Sequence, residues 1–122
     1  IMKKIIVGLD GTITFDDKEK DYSEKEPNVK LIEKLSDYQK KGFEIVIFTA
    51  RNMNTHKGDI RKIKSLTLPI IEKWLHQNDV PYDEIIIGKP WCGFDGFYID
   101  DKSIRPDEFI SFSEEEIKKI IN

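Results

Sequence analysis

Ile5-Ile6-Val7-Gly8-Leu9-Asp10-Gly11-Thr12 is the stretch on which the fold turns. It begins as an apolar, β-branched run and closes on Asp10-Gly11-Thr12, the pattern of a buried strand stopped by a polar turn. Three more apolar runs end the same way. Phe43 to Phe48 leads into Thr49-Ala50-Arg51, Glu84 to Ile87 into Gly88-Lys89, and Phe97 to Ile99 into Asp100-Asp101. Helical patterns lie between the runs. Pro27 is placed to start a helix with Val29, Leu31, Ile32, Leu35 and Tyr38 on its apolar face, and Gly42 to end it. Leu68, Ile71, Trp74 and Leu75 mark another helix, with Pro69 near its start. Ser113 and Glu116 have capping-box spacing for a last helix that runs to the end of the chain. Residues 13–26 are mostly polar with little periodicity and read as a flap, and Asn52 to Lys64 reads as a long loop. Strands that alternate with helices predict an α/β fold of three layers around a mainly parallel sheet.

Composition narrows what such a fold does. The chain has 122 residues, 39% hydrophobic and 35% charged, which suits one domain, 1–122, with no room for a large cap. A formal net charge of -3 gives no general electrostatic reason to bind nucleic acid. Cys92 is the sole cysteine, so no intrachain disulfide and no Cys-rich zinc site can form, and a reducing cytoplasm fits best. No apolar run is long enough for a bilayer span, and Ile5-Ile6-Val7 is too short for the centre of a signal peptide. The expectation is a cytoplasmic protein without a membrane partner. Ile1, ahead of Met2, reads as an added residue.

The polar residues after the four runs carry the chemistry. In an open parallel sheet the functional site lies beyond the carboxyl ends of the strands, where all of these residues fall. A carboxyl group at Asp10 can give a proton to a leaving oxygen. The Thr49 hydroxyl and the Lys89 ammonium can bind phosphoryl oxygens. Asp100 and Asp101 repel each other unless a cation lies between them, and Mg²⁺ takes such hard oxygen ligands. Singly, Asp-Gly is most often a turn, Thr49 a cap and Lys89 a solvated charge. Their shared order at four strand ends favours a phosphate and metal site.

That order resembles the four motifs of the haloacid dehalogenase superfamily, over nearly the whole chain. Five segments narrow the likeness to the small capsule-biosynthesis phosphatases. They are Phe48-Thr49-Ala50-Arg51-Asn52, Thr67-Leu68-Pro69, Val80-Pro81-Tyr82-Asp83-Glu84, Gly88-Lys89-Pro90-Trp91-Cys92-Gly93, and Ile99-Asp100-Asp101 through Ile104-Arg105-Pro106. The resemblance implies a Rossmann-like sheet with a small flap. It also implies Mg²⁺-dependent dephosphorylation of a small metabolite, a sugar phosphate in capsule or polysaccharide biosynthesis. It casts Asp10 as general acid/base, with its backbone carbonyl on the metal. Thr49 and Lys89 match the phosphoryl-binding hydroxyl and lysine, and Asp100 and Asp101 the metal carboxylates, Asp100 the direct ligand. Gly11, Thr12, Ala50, Arg51 and Asn52 border the substrate, although Asn52 reads equally well as a turn residue. An uncapped site is open and leaves room for a homo-oligomer in which a neighbouring subunit covers it.

Gly8 departs from the family. The family places the attacking aspartate there, and glycine can neither attack phosphorus nor ligate metal. An engineered inactive variant, a natural inactive homologue and a sequence error would each account for it. The other motifs are filled, which favours a change confined to one position. The chain is therefore expected to be an impaired phosphatase, with a non-catalytic binder of phosphorylated metabolites as the alternative. A phosphoacceptor receiver domain is disfavoured, because its acidic pair comes first and here the pair comes last.

Overall fold

The computed structural model describes residues 2–122, so Ile1, read above as an added residue, lies outside them. Its elements follow in the order β1 (Lys4–Val7), α1 (Val29–Lys40), β2 (Glu44–Thr49), α2 (Ile60–Leu66), α3 (Leu68–Gln77), β3 (Glu84–Ile87), α4 (Pro106–Ser111) and α5 (Glu114–Ile121). The chain divides into two compact units, Ile1–Trp91 and Cys92–Asn122.

In the first unit β1, β2 and β3 form a parallel three-stranded sheet in that spatial order. Right-handed crossovers between strands laid down in sequence order put the connecting helices on one side of the sheet. Val7 and Ile47, neighbours in register, are buried; on the opposite face Ile6 is 64% exposed while its neighbour Val46 is buried. The helix α1 turns Leu31, Ile32, Leu35 and Tyr38 inward, as their spacing requires. It starts at Val29 because Pro27 is occupied in an antiparallel bridge with Thr14, and the Asn28 side chain caps it by accepting from the Leu31 N–H at 3.4 Å. The next strand is held at its start by Asp83, whose carboxylate accepts the Ile45 N–H at 2.8 Å while its own N–H donates to the Ile45 carbonyl at 2.8 Å.

Two expectations need correction in detail. The segment Asn52 to Lys64 is not a loop throughout, because Asp59 caps α2 by accepting from the Lys62 N–H at 3.2 Å. Only Ile63 of that helix is buried, too little to show as periodicity in a sequence this polar. The first strand ends at Val7 rather than Leu9, because the chain turns there: the Thr14 N–H closes onto the Leu9 carbonyl at 3.0 Å.

The second unit is helical. The fourth strand expected at Phe97–Ile99 does not form, and the segment is irregular, with Phe97 77% and Ile99 88% exposed. A β-branched, apolar run is only a preference. A strand is made by its ladder, and three residues offer too few ladder bonds to hold one alone. Phe94, like Phe97, is exposed rather than packed into a core. In α5 the capping box is reciprocal: the Glu116 N–H donates to Ser113 Oγ at 3.2 Å, and the Ser113 N–H donates to Glu116 Oε1 at 2.9 Å. Among the described residues no helix is long and apolar enough to cross a membrane.

Candidate functional site

Three loops leave the carboxyl ends of the parallel strands and carry Gly8 to Ile13, Ala50 to Asn52, and Lys89, with Thr49 the last residue of β2. The third is tied to the end of β2, since the Lys89 N–H donates to the Thr49 carbonyl at 3.0 Å. In the first loop Gly11 has φ 75°, a left-handed conformation that suits glycine. Gly8 is different. Its φ of -71° and ψ of 161° suit any residue, and a Cβ there would meet Thr12 Oγ1 at 3.2 Å. The backbone gives no reason for glycine at this position. Only the side chain is missing.

Asp10 is partly exposed, and its carboxylate is held by two cations. The Arg51 guanidinium grips it as a fork, Nη2 to Oδ1 at 2.7 Å and Nε to Oδ2 at 3.0 Å. Lys25 Nζ lies 3.4 Å from the same Oδ1 and 3.4 Å from Asp16 Oδ1. Both cations lie over one ring, that of Tyr22, at 4.1 Å for the Arg51 guanidinium carbon and 5.0 Å for Lys25 Nζ. Arg51 and Lys25 are only 4% and 7% exposed, and the buried Arg51 Nη1 has no hydrogen-bond partner among the described residues. The flap that brings Lys25 here is pinned by its backbone. Trp74 Nε1 donates to the Lys25 carbonyl at 2.8 Å, and the Phe15 N–H donates to the Glu26 carbonyl at 2.9 Å.

The remaining candidates take distinct positions. Thr49 is buried, and its Oγ1 accepts the Arg51 N–H at 3.0 Å, so it keeps its own O–H as a donor. Ala50 lies between them, half-buried. Asn52, at φ 61°, uses its amide to hold the loop: Oδ1 accepts from Thr67 Oγ1 at 2.7 Å, and Nδ2 donates to Thr55 Oγ1 at 3.3 Å. Its turn reading therefore has the stronger structural support. The Thr12 carbonyl accepts from Asn28 Nδ2 at 3.2 Å, which ties the first loop to the start of α1. Lys89 Nζ lies 5.8 Å from the centre of the Phe48 ring. Asp100 and Asp101 belong to the second unit, where both are exposed and the Asp101 N–H donates to Asp100 Oδ1 at 2.8 Å.

Lys25 and Tyr22 were not legible as site residues, because nothing in a polar, aperiodic stretch says which cation folds inward. As to metal, among the described residues no three His, Cys, Asp or Glu side chains are grouped to hold an ion. Gly8 supplies no oxygen, and the Asp10 carboxylate is turned to Arg51 and Lys25. These residues do not make a Mg²⁺ site within the first unit.

Comparison with known proteins gives three structural matches. A crystal structure of a target protein from Vibrio cholerae is 55% identical, with a TM-score of 0.95 over 98% of this chain and 97% of that one. The D,D-heptose 1,7-bisphosphate phosphatase of B. bronchiseptica, crystallised with magnesium and phosphate, is 19% identical. It matches with a TM-score of 0.50 over 79% of this chain and 54% of its own. A chain of a Pnkp1/Rnl/Hen1 complex is 16% identical, with a TM-score of 0.51 over 90% of this chain and 34% of that one. No protein-family model and no curated protein matches.

Proposed function

Because the chain belongs to the same family as the Vibrio cholerae protein and has the haloacid-dehalogenase type of fold, we propose that it is a phosphoric monoester hydrolase domain disabled at its nucleophile position. Its substrate class in this proposal is a small phosphorylated metabolite, a sugar phosphate of capsule or polysaccharide biosynthesis. One observation carries the reading. Gly8, Asp10, Thr49 and Lys89 stand at or just beyond the carboxyl ends of three adjacent parallel strands, and Lys89 is bonded to Thr49 through the backbone. Thr49 offers a buried hydroxyl and Lys89 a cation for phosphoryl oxygens, and Asp10 offers a carboxyl group for the leaving oxygen. Mg²⁺ enters the proposal from the family resemblance alone, and the heptose phosphatase, which shares the fold, was crystallised with magnesium and phosphate.

As it stands the chain binds the ester and does not turn it over. Gly8 favours the non-catalytic reading for this sequence. Gly8→Asp separates the two. The backbone accepts aspartate, and the new Cβ asks Thr12 Oγ1 to yield by only a few tenths of an ångström. An attached carboxylate attacks phosphorus without the entropy loss that a free nucleophile pays, so the rate is expected to rise at least about 10³-fold. The assay is phosphate release from a panel of phosphorylated sugars and polyols with Mg²⁺, with Asp10→Asn in the Gly8→Asp background as control. No gain from Gly8→Asp on any ester would overturn the hydrolase reading and leave a binding protein.

A further inference from the structure

We propose that Arg51 and Lys25 form a receptor for a second anionic group of the substrate, a carboxylate or a second phosphate, and that Asp10 fills this receptor until such a substrate arrives. The proposal rests on the phosphate-ester reading above and extends it to the substrate's chemistry.

Two buried cations converge here on one partly exposed carboxylate. The Arg51 side chain is 1% exposed and that of Lys25 6%, whereas that of Asp10 is 25% exposed and that of Asp16, the other anion Lys25 touches, 58%. The two cations are thus far less solvated than the two carboxylates that pair with them, and a buried charge is costly unless it is fully hydrogen-bonded. Arg51 satisfies Nε and Nη2 on Asp10 and leaves Nη1 buried without a hydrogen-bond partner among the described residues. A guanidinium has five donors in a fixed fork, and the Nε–Nη2 edge that Asp10 occupies fits the paired oxygens of a carboxylate or phosphate equally well. Tyr22 fixes both cations against one ring, so the receptor is preorganised.

The arrangement also constrains Asp10. Both of its oxygens accept from Arg51, and a carboxyl group engaged in this way is not placed to donate toward a leaving oxygen. An anion that takes Arg51 and Lys25 releases Asp10. Recognition of the second group and readiness of the acid then become one event. Esters with a neutral leaving group lack the means to cause it.

Matched ester pairs test this by titration calorimetry on the chain as it is, without any need for turnover. Glycerol 3-phosphate is set against 3-phosphoglycerate, and fructose 6-phosphate against fructose 1,6-bisphosphate. The first pair adds a carboxylate and the second a phosphate. A charge-assisted bidentate contact predicts at least about tenfold tighter binding of the doubly anionic member in one or both pairs. Lys25→Met, which keeps the aliphatic stem, is expected to cut that preference below about threefold. Asp10→Asn removes the internal competitor and is expected to tighten the doubly anionic ester about fivefold, a direction that mere damage to the fold would not produce. Equal affinities within both pairs, in the parent and in Asp10→Asn alike, overturn the receptor and leave the phosphate-ester reading intact. Failure of every ester to bind the parent overturns both.

Discussion

Replacing Trp74 by Phe tests whether the flap is held as the structure indicates. Trp74 is buried on α3, and its indole N–H donates to the Lys25 carbonyl at 2.8 Å. Phenylalanine keeps an aromatic ring and removes the donor. The Lys25 carbonyl is then left in a buried setting without that bond, at a cost of about 1–3 kcal/mol. The smaller ring leaves a void worth roughly another 1 kcal/mol. For a unit of this size each kcal/mol moves the thermal midpoint by about 4–8 °C, so a fall on the order of 10–20 °C is expected. The loss should also be local. Amide hydrogen exchange should quicken most in the flap, at the Phe15 N–H that donates to Glu26, by about five- to a hundredfold, with less change at Ile45 and Ile47 in β2. Leu75→Ala, next door on the same helix, serves as a control that destabilises without touching the Lys25 carbonyl. If the two variants quicken flap and sheet amides in the same proportion, the indole bond does not hold the flap.

Two further variants probe the scaffold. Asp83→Ala removes the acceptor of the Ile45 N–H at the buried start of β2 and is expected to cost about 1–3 kcal/mol in urea unfolding, whereas Asp83→Asn, which keeps an oxygen there, should lose less. Ser113→Ala breaks the reciprocal cap of α5 and should cost about 1 kcal/mol, seen as lower helicity and faster exchange at the Glu116 amide.

What the sequence disclosed followed from how each element is held. Ile5 to Leu9, Phe43 to Phe48 and Glu84 to Ile87 were readable as strands because parallel-sheet strands are near-continuous apolar runs, although only β2 is buried along most of its length. Their polar endings marked the candidate site for the same reason. Phe97 to Ile99 has the same composition and no ladder, since propensity states what a segment tolerates and not what stands beside it. The helix α2 rests on a cap at Asp59 and one buried isoleucine, and α4 on a proline start and the Arg105 N–H donating to Glu108 Oε1 at 2.8 Å. Neither leaves a repeating pattern. In the candidate site, Asp10 and Thr49 could be singled out because motif and strand end coincide. Lys25 and Tyr22 could not, because their inward placement depends on Trp74, 49 positions further along the chain from Lys25.

The flap changes what the motif residues mean. Read from their order alone, Asp10 is an acid and Arg51 a neighbour of Thr49. In the folded chain Arg51 and Lys25 are the most buried charges around Asp10, more buried than either carboxylate they meet. A fold selected for stability alone has cheaper solutions. Replacing a buried ion pair with well-packed apolar side chains is often neutral or favourable, and leaving a guanidinium edge unbonded in the interior is neither. Departures of this kind, in which local consistency is given up at one place, gather where a protein meets a ligand. The unbonded donor is cationic, and its guanidinium is braced by an aromatic ring against relaxation. An anion beyond the ester phosphate is the ligand that such an arrangement selects.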